Sequence, residues 1–225
     1  FAARRALARI RFRPEPSGLT HQVTLVDFGK KSWMVDTGFG AGAFNMALDV
    51  WLAEHMLASP GDPVLRLYGW HPPAVSLGYN QSAEEFDERK LASAGIDIVR
   101  RPTGGRAILH ADELTYCVVM HAPHASGREI YRFLNEGLLC GVRALGIDAA
   151  LSDRNDDFRS EYKSPGAIPC FATSARSEIH AAGRKLIGSA QRRYGDVILQ
   201  HGSFMLGPRH ASLGEYVSEQ SVRGE

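Results

Sequence analysis

A mixed α+β domain, a β-sheet of short strands flanked by helices, is the fold class that this sequence predicts, and three observations carry the prediction. The chain has 225 residues, 44% of them apolar, which is enough for one sizeable core. Helical stripes are interspersed among short β-rich runs. Several of those runs follow one another at hairpin-like spacing, which favours a mixed sheet over a doubly wound parallel one.

The elements read in order as follows. Phe1 to Arg13 holds five arginines and no acid, loosely resembling an organelle transit peptide without its serines, and Pro14 to Gly18 reads as a linker. Residues 1–25 are therefore set apart as an N-terminal extension, and 26–225 as one domain. Phe44, Ala47, Leu48, Trp51, Leu52 and Met56 form a helical stripe that packs on the sheet. Residues 64–68 and 74–77 are strands around the His71-Pro72-Pro73 turn. Ser82, with Glu85 three residues on, forms a capping box opening a helix that Gly95 ends. Residues 96–100 and 114–121 are β-rich runs bracketing a glycine loop. Ile130, Phe133, Leu134, Leu138, Val142 and Leu145 mark a long helix closed by Gly146. Further strands follow around 177–180, 184–190 and 196–204.

Composition excludes several function classes. Twenty-six Lys and Arg against 25 Asp and Glu leave a net charge of +1, without the strongly basic footprint of a nucleic-acid binder. No apolar run approaches the roughly 20 residues that span a bilayer. Three cysteines without CxxC spacing indicate neither a disulfide framework nor a zinc site, so a reducing cytoplasm fits. The string from Gly38 to Ala43 fits G-x-G-x-x-A, but Asp62, about 20 positions on, falls in a Gly-Asp-Pro turn ahead of the next strand and not at a strand end. A flexible turn feeding a helix is the better reading, and no Walker-type loop or H-E-x-x-H occurs.

Two segments carry chemistry. In Arg100-Arg101-Pro102-Thr103-Gly104-Gly105-Arg106-Ala107-Ile108-Leu109-His110 the paired glycines permit close backbone approach and expose N–H groups, while three arginines add charge. Such a loop suits an anionic or carbonyl-rich ligand, and equally an ordinary solvated turn. In 183–191 and 197–203, two strands carry Lys185 among small residues that leave room for a ligand. By its chemistry alone Lys185 is more simply a snorkelling surface lysine. Cys117 and Cys140 lie in apolar runs and read as inert core, whereas Cys170 follows a polar stretch containing Pro and Gly, where a nearby cation such as Lys185 would make its thiol a nucleophile.

The run from Phe44 to Asp49 and the stretches 66–81, 100–116 and 183–203 occur together in this order. In this the chain resembles the biotin and lipoate protein ligase superfamily over residues 33–205, most closely its LipM-type octanoyltransferases. Arg106 follows the glycine pair where lipoate ligases commonly show a third glycine, and Cys170 precedes Lys185 by fifteen residues.

The resemblance implies that 26–225 is a catalytic domain of the biotin/lipoate protein ligase type. Cys170 takes octanoyl from acyl carrier protein and passes it to a lysine of a lipoyl domain, such as that of the glycine-cleavage H protein. Lys185 lowers the thiol pKa and holds the acyl carbonyl. Arg100, Thr103, Gly104, Gly105, Arg106 and His110 line the acyl pocket, with Ser189, Ala190 and Gly202 on the facing strands. No cofactor, ATP or metal is implied. Ile108, Leu109 and Ile187 are expected as slot walls, and Arg100, Arg101, Arg192 and Arg193 as patches for acidic partner domains. Relatives of this type usually continue past the last strand for another helical stretch, and the sequence does not tell whether it is a fragment. An ATP-dependent lipoate ligase, an amidotransferase between lipoyl domains and a non-catalytic lipoyl-binding module are the alternatives; Cys170 separates the first from the transferase.

Overall fold

The computed structural model describes residues 9–12, 21–28, 31–152 and 178–218, with side chains from Gly40 onward. The order is β1 (Arg9–Phe12), β2 (His21–Phe28), β3 (Lys31–Gly40), α1 (Gly42–Ala58), β4 (Val64–Trp70), β5 (Ala74–Leu77), α2 (Glu88–Ser93), β6 (Asp97–Arg100), β7 (Ile108–His110), β8 (Glu113–His121), α3 (Gly127–Ala144), β9 (Ala149–Leu151), β10 (Ile179–Ala181), β11 (Arg184–Tyr194) and β12 (Val197–Met205). A nine-stranded sheet runs β1-β2-β3-β4-β8-β12-β11-β10-β9, and a three-stranded sheet runs β6-β5-β7. Among the described strands of the large sheet only β3 and β4 pair in parallel, joined through α1; β5 and β6 are the parallel pair of the small one. The mixed α+β class is thus the observed one. The boundary expected at residue 25 falls inside β2, while the linker expected at 14–18 lies outside the described residues.

Most expected elements form, with local differences. Asp87, not Ser82, opens α2: its carboxylate accepts the Arg89 and Lys90 N–H groups, and Ser82 caps only a three-residue 3-10 turn, Ala83–Glu85. The capping box belongs instead to α3, where Ser126 and Glu129 satisfy each other's backbone N–H groups. Gly95 and Gly146 end their helices in the left-handed conformation, φ +66° and +82°.

Helix α1 buries Asn45, Met46, Asp49, Leu52, Ala53 and Met56 and leaves Phe44 and Trp51 half exposed. The buried face therefore includes two polar residues, and the apolar stripe read from the sequence is displaced around the helix. With Tyr68, Trp70, Val119 and Leu199, these apolar side chains form the central core. Helix α3 packs Leu139 and Val142 against Tyr116, Val118 and Ile187 on the other face. Phe133 and Leu145, expected inside, are 62% and 72% exposed, and Cys140 is exposed as well, correcting its assignment to the core. The α3 period turns all three away from the sheet once Ile130, Asn135, Leu139 and Val142 face it.

Candidate active site

Three buried polar arrays frame one cavity. The first starts on α1, where Asp49, fully buried, accepts the Arg66 guanidinium at 2.5 Å and the Tyr68 hydroxyl at 2.9 Å. Asn45 beside it donates to the carbonyls of Gly40 and Gly69, both at 3.1 Å. His201 Nδ1 lies 3.0 Å from Asp49, and its Nε2 lies 2.7 Å from the Thr103 hydroxyl. A motif on α1 is thereby tied through β12 to the glycine loop. Burial and the Asp49 charge push the Cys117 thiol, in the same layer, well above its ordinary range, so this cysteine is inert as expected.

The second array ends β7. His110 Nε2 is 2.7 Å from the Ser76 hydroxyl and Nδ1 is 2.8 Å from Glu113, while the Trp70 ring stacks on the imidazole at 4.0 Å. Thr115 and Ser203 donate to the same Glu113 oxygen at 2.6 and 2.8 Å. Burial pushes the Glu113 carboxyl up, but His110 and these hydrogen bonds outweigh it and hold the carboxyl below its usual value.

In the third array, Lys185 Nζ lies 2.8 Å from Glu178, each side chain only 5% exposed. The snorkelling reading of Lys185 is therefore wrong: its ammonium is inside, with a carboxylate as partner. An extra residue in β11 opposite the Ile179/His180 step forms a bulge beside Lys185, a device that re-aims side chains leaving a strand.

The glycine loop closes over these arrays. Arg101, 4% exposed, donates to the carbonyls of Ser76, Gly104 and Arg106 at 2.7–2.8 Å. Gly105 has φ +93°, and its carbonyl lies 1.9 Å from where a Cβ on Gly78 would stand, so the loop and the Gly78 turn touch backbone to backbone.

Between the loop and strands β8, β11 and β12 lies a cavity of about 320 Å³ with mostly apolar walls. Gly104, Gly105, His110, Lys185, Ser189, Ala190 and Gly202, seven of the residues expected at the site, line it. Arg100, Thr103 and Arg106 do not. Arg100 donates to the carbonyls of Gly78, Tyr79 and Gln81 at 2.7–3.0 Å, bracing their turn. The Thr103 hydroxyl is taken by His201, and Arg106 leaves the loop toward Glu85, 3.9 Å away. Of the expected walls, Ile108 lines the slot, whereas alternation along β7 sends Leu109 into the core of the small sheet, and Ile187 packs under α3.

The expected arginine patch also changes. Arg101 is buried, and Arg192 donates to the Pro102 carbonyl at 2.8 Å while stacking on Tyr79 at 4.4 Å. Cys170 lies outside the described residues. Sequence reasoning missed Trp70, Glu178 and His201 as cavity residues. His201 stands in a quoted run, but nothing in one sequence marks which buried acid will meet Lys185. No helix among the described residues is long and apolar enough to cross a membrane.

Residues 41–224 match the family model described as the lipoyl protein ligase A/B catalytic domain. The octanoyltransferase LipM of Kyrpidia tusciae is 44% identical over 184 residues, 78% of this chain and 66% of that protein. The chain thus spans just under two thirds of the length of the curated relatives it matches. Among solved structures, a lipoate-protein ligase A bound with ATP superposes with TM-score 0.63 at 26% identity, covering 83% of this chain and 71% of the other. A putative lipoate protein ligase from T. acidophilum with bound lipoic acid gives TM-score 0.62 at 26% identity, covering 83% and 78%.

Proposed function

Because the chain belongs to the lipoyl protein ligase A/B catalytic-domain family, we propose that it is an octanoyltransferase of lipoate biosynthesis, working through a thioester on Cys170 without ATP. The observation that carries this reading is the buried Lys185 ammonium in the wall of an apolar cavity beside a glycine loop. Relatives at this level of identity are named octanoyltransferases.

The apolar walls, Met46, Tyr68, Trp70 and Ile108 among them, would hold the acyl tail. Each buried methylene is worth about 0.8 kcal/mol, so a medium-length tail gains several kcal/mol and is selected by slot depth. Lys185 then faces the carbonyl end. Its charge lowers the thiol pKa of Cys170 and stabilises the oxyanion in both half-reactions. Thiol attack on a carrier thioester is nearly isoenergetic; amine attack on the enzyme thioester yields the more stable amide and drives the cycle.

The donor on this reading is octanoyl acyl carrier protein, and the acceptor a lipoyl-domain lysine such as that of the glycine-cleavage H protein. A thiol nucleophile suits a reducing compartment, hence the cytoplasm. A second reading, ATP-dependent lipoate ligase, is favoured by the 26% likeness to an ATP-bound ligase. Intact-protein mass after mixing with octanoyl carrier protein, without ATP, separates the two. One octanoyl adduct on the parent and none on Cys170→Ala supports the transferase. No adduct, with ATP-dependent lipoyl-AMP formation from free lipoate, overturns it in favour of the ligase.

A further inference from the structure

Glu178 is the only acid among the described residues lining the cavity, and the proposed reaction delivers a lysine ammonium to that cavity. Glu178 is held at both its backbone and its side chain. Its backbone carbonyl accepts the Ser152 N–H at 2.7 Å where β9 ends, and its side chain meets Lys185 at 2.8 Å. The two cavity histidines are both committed: each turns Nδ1 to a carboxylate, at 2.8 Å for His110 and 3.0 Å for His201, and Nε2 to a hydroxyl at 2.7 Å. Arg101 is spent on the backbone carbonyls of Ser76, Gly104 and Arg106.

We infer that Glu178 and Lys185 form a proton shuttle for the second half-reaction, acyl transfer from the enzyme thiol to the acceptor amine. The inference rests on the transferase reading. An amine that attacks a thioester must lose a proton, and the departing thiolate must gain one. Glu178 attracts the incoming ammonium and takes its proton, leaving a neutral amine. The amine forms the C–N bond as the C–S bond breaks, and its remaining extra proton leaves to solvent. Lys185 gives an Nζ proton to the departing sulfur, and the proton held by Glu178 crosses the 2.8 Å contact to restore the ammonium. Carboxylate and ammonium are both regenerated, and the acyl group has moved from sulfur to nitrogen with no redox change. Glu178 is thus assigned a catalytic role as base in the aminolysis step, besides pairing with the Lys185 that serves both half-reactions.

Glu178→Gln preserves shape and a hydrogen-bonding oxygen while abolishing the base. The parent and the variant are each charged with octanoyl carrier protein, and the acyl-enzyme is followed by intact mass. It is then discharged either by a lipoyl-domain acceptor or by hydroxylamine, which is largely uncharged at neutral pH. Because Lys185 loses its buried carboxylate partner, Glu178→Gln is expected to slow charging and hydroxylamine discharge to the same modest extent, and to slow discharge to the lipoyl lysine on the order of 10²-fold further. Glu178→Asp should recover part of the lysine transfer. A purely structural ion pair would instead slow charging and both discharges alike, and that result, like parental transfer to lysine, overturns the shuttle. If Glu178→Gln does not fold, the displaced carboxylate of Glu178→Asp is compared with the parent, and a ratio of lysine to hydroxylamine discharge equal to the parent's overturns the shuttle. Failure of the parent itself to form an acyl-enzyme would defeat the transferase reading, a distinct outcome.

Discussion

His201 reaches the Thr103 hydroxyl at 2.7 Å on one side and Asp49 at 3.0 Å on the other, so a residue in the middle of β12 fixes the glycine loop to the first helix. Neither Asp49 nor Thr103 lines the cavity, yet the shape of the cavity depends on both through the position of Gly104 and Gly105. Thr103→Val keeps the volume and deletes the hydroxyl. It should cost about 1–3 kcal/mol, because His201 loses a buried partner, and should weaken acyl-donor use several-fold. Thr103→Ser should restore both. Chemical denaturation and steady-state transfer rates check this.

The ion pair between Arg66 and Asp49 is buried at 1% and 0% side-chain exposure, whereas that between Arg132 and Glu136 lies at 72% and 47%. Arg66→Met strands a carboxylate in the core and is expected to destabilise by about 3–5 kcal/mol. Arg132→Ala should change stability by less than about 1 kcal/mol, since exposed pairs are screened by water. Urea midpoints of the two variants give the comparison directly.

Glycines near the loop should respond oppositely. A Cβ at Gly78 would stand 1.9 Å from the Gly105 carbonyl, while one at Gly104 would meet nothing within 4 Å. Gly78→Ala must push the loop away and is expected to lower the melting temperature and abolish acyl uptake together. Gly104→Ala should melt like the parent but add a methyl group to a cavity wall, so that uptake falls without loss of stability.

Stability should fall in acid through Glu113. Its folded-state carboxyl titrates below the ordinary 4.5, despite burial, because of His110 and three hydrogen bonds. As pH drops, the unfolded chain takes up this proton first. The stabilisation is therefore complete above about 4.5 and lost as pH falls through the lower folded value. Glu113→Gln should flatten this acid limb of a stability-against-pH curve, and an unchanged limb would show that other groups set it.

Thiol reactivity separates the described cysteines. Cys140 is exposed on α3 and should react with an alkylating reagent in the folded protein; Cys117 should react only on unfolding. Peptide mapping after a short alkylation pulse tests both.

Much of the fold was legible because its signals are local. The α1 and α3 periods, the strands on either side of the glycine loop, and Gly95 and Gly146 at helix ends all follow from preferences within a few residues. Much of the site was legible too: the glycine pair, Lys185 and the small residues facing it stand close in sequence, and they meet at one cavity. What failed depended on partners far along the chain. Asn45 and Asp49 are polar and were not read as core, yet they are fully buried because Arg66 and the Gly40 and Gly69 carbonyls require them. Leu109 and Ile187 are as apolar as Ile108, and only the direction each strand faces decides which of them meets the cavity. By its chemistry alone, apart from the resemblance, Lys185 was read as surface because a sequence does not show that Glu178 would stand across a bulge from it. Residue type and spacing determined the elements and the chemistry available here; the tertiary structure alone decided which charges were buried together, because desolvation and pairing depend on distances that sequence separation does not encode.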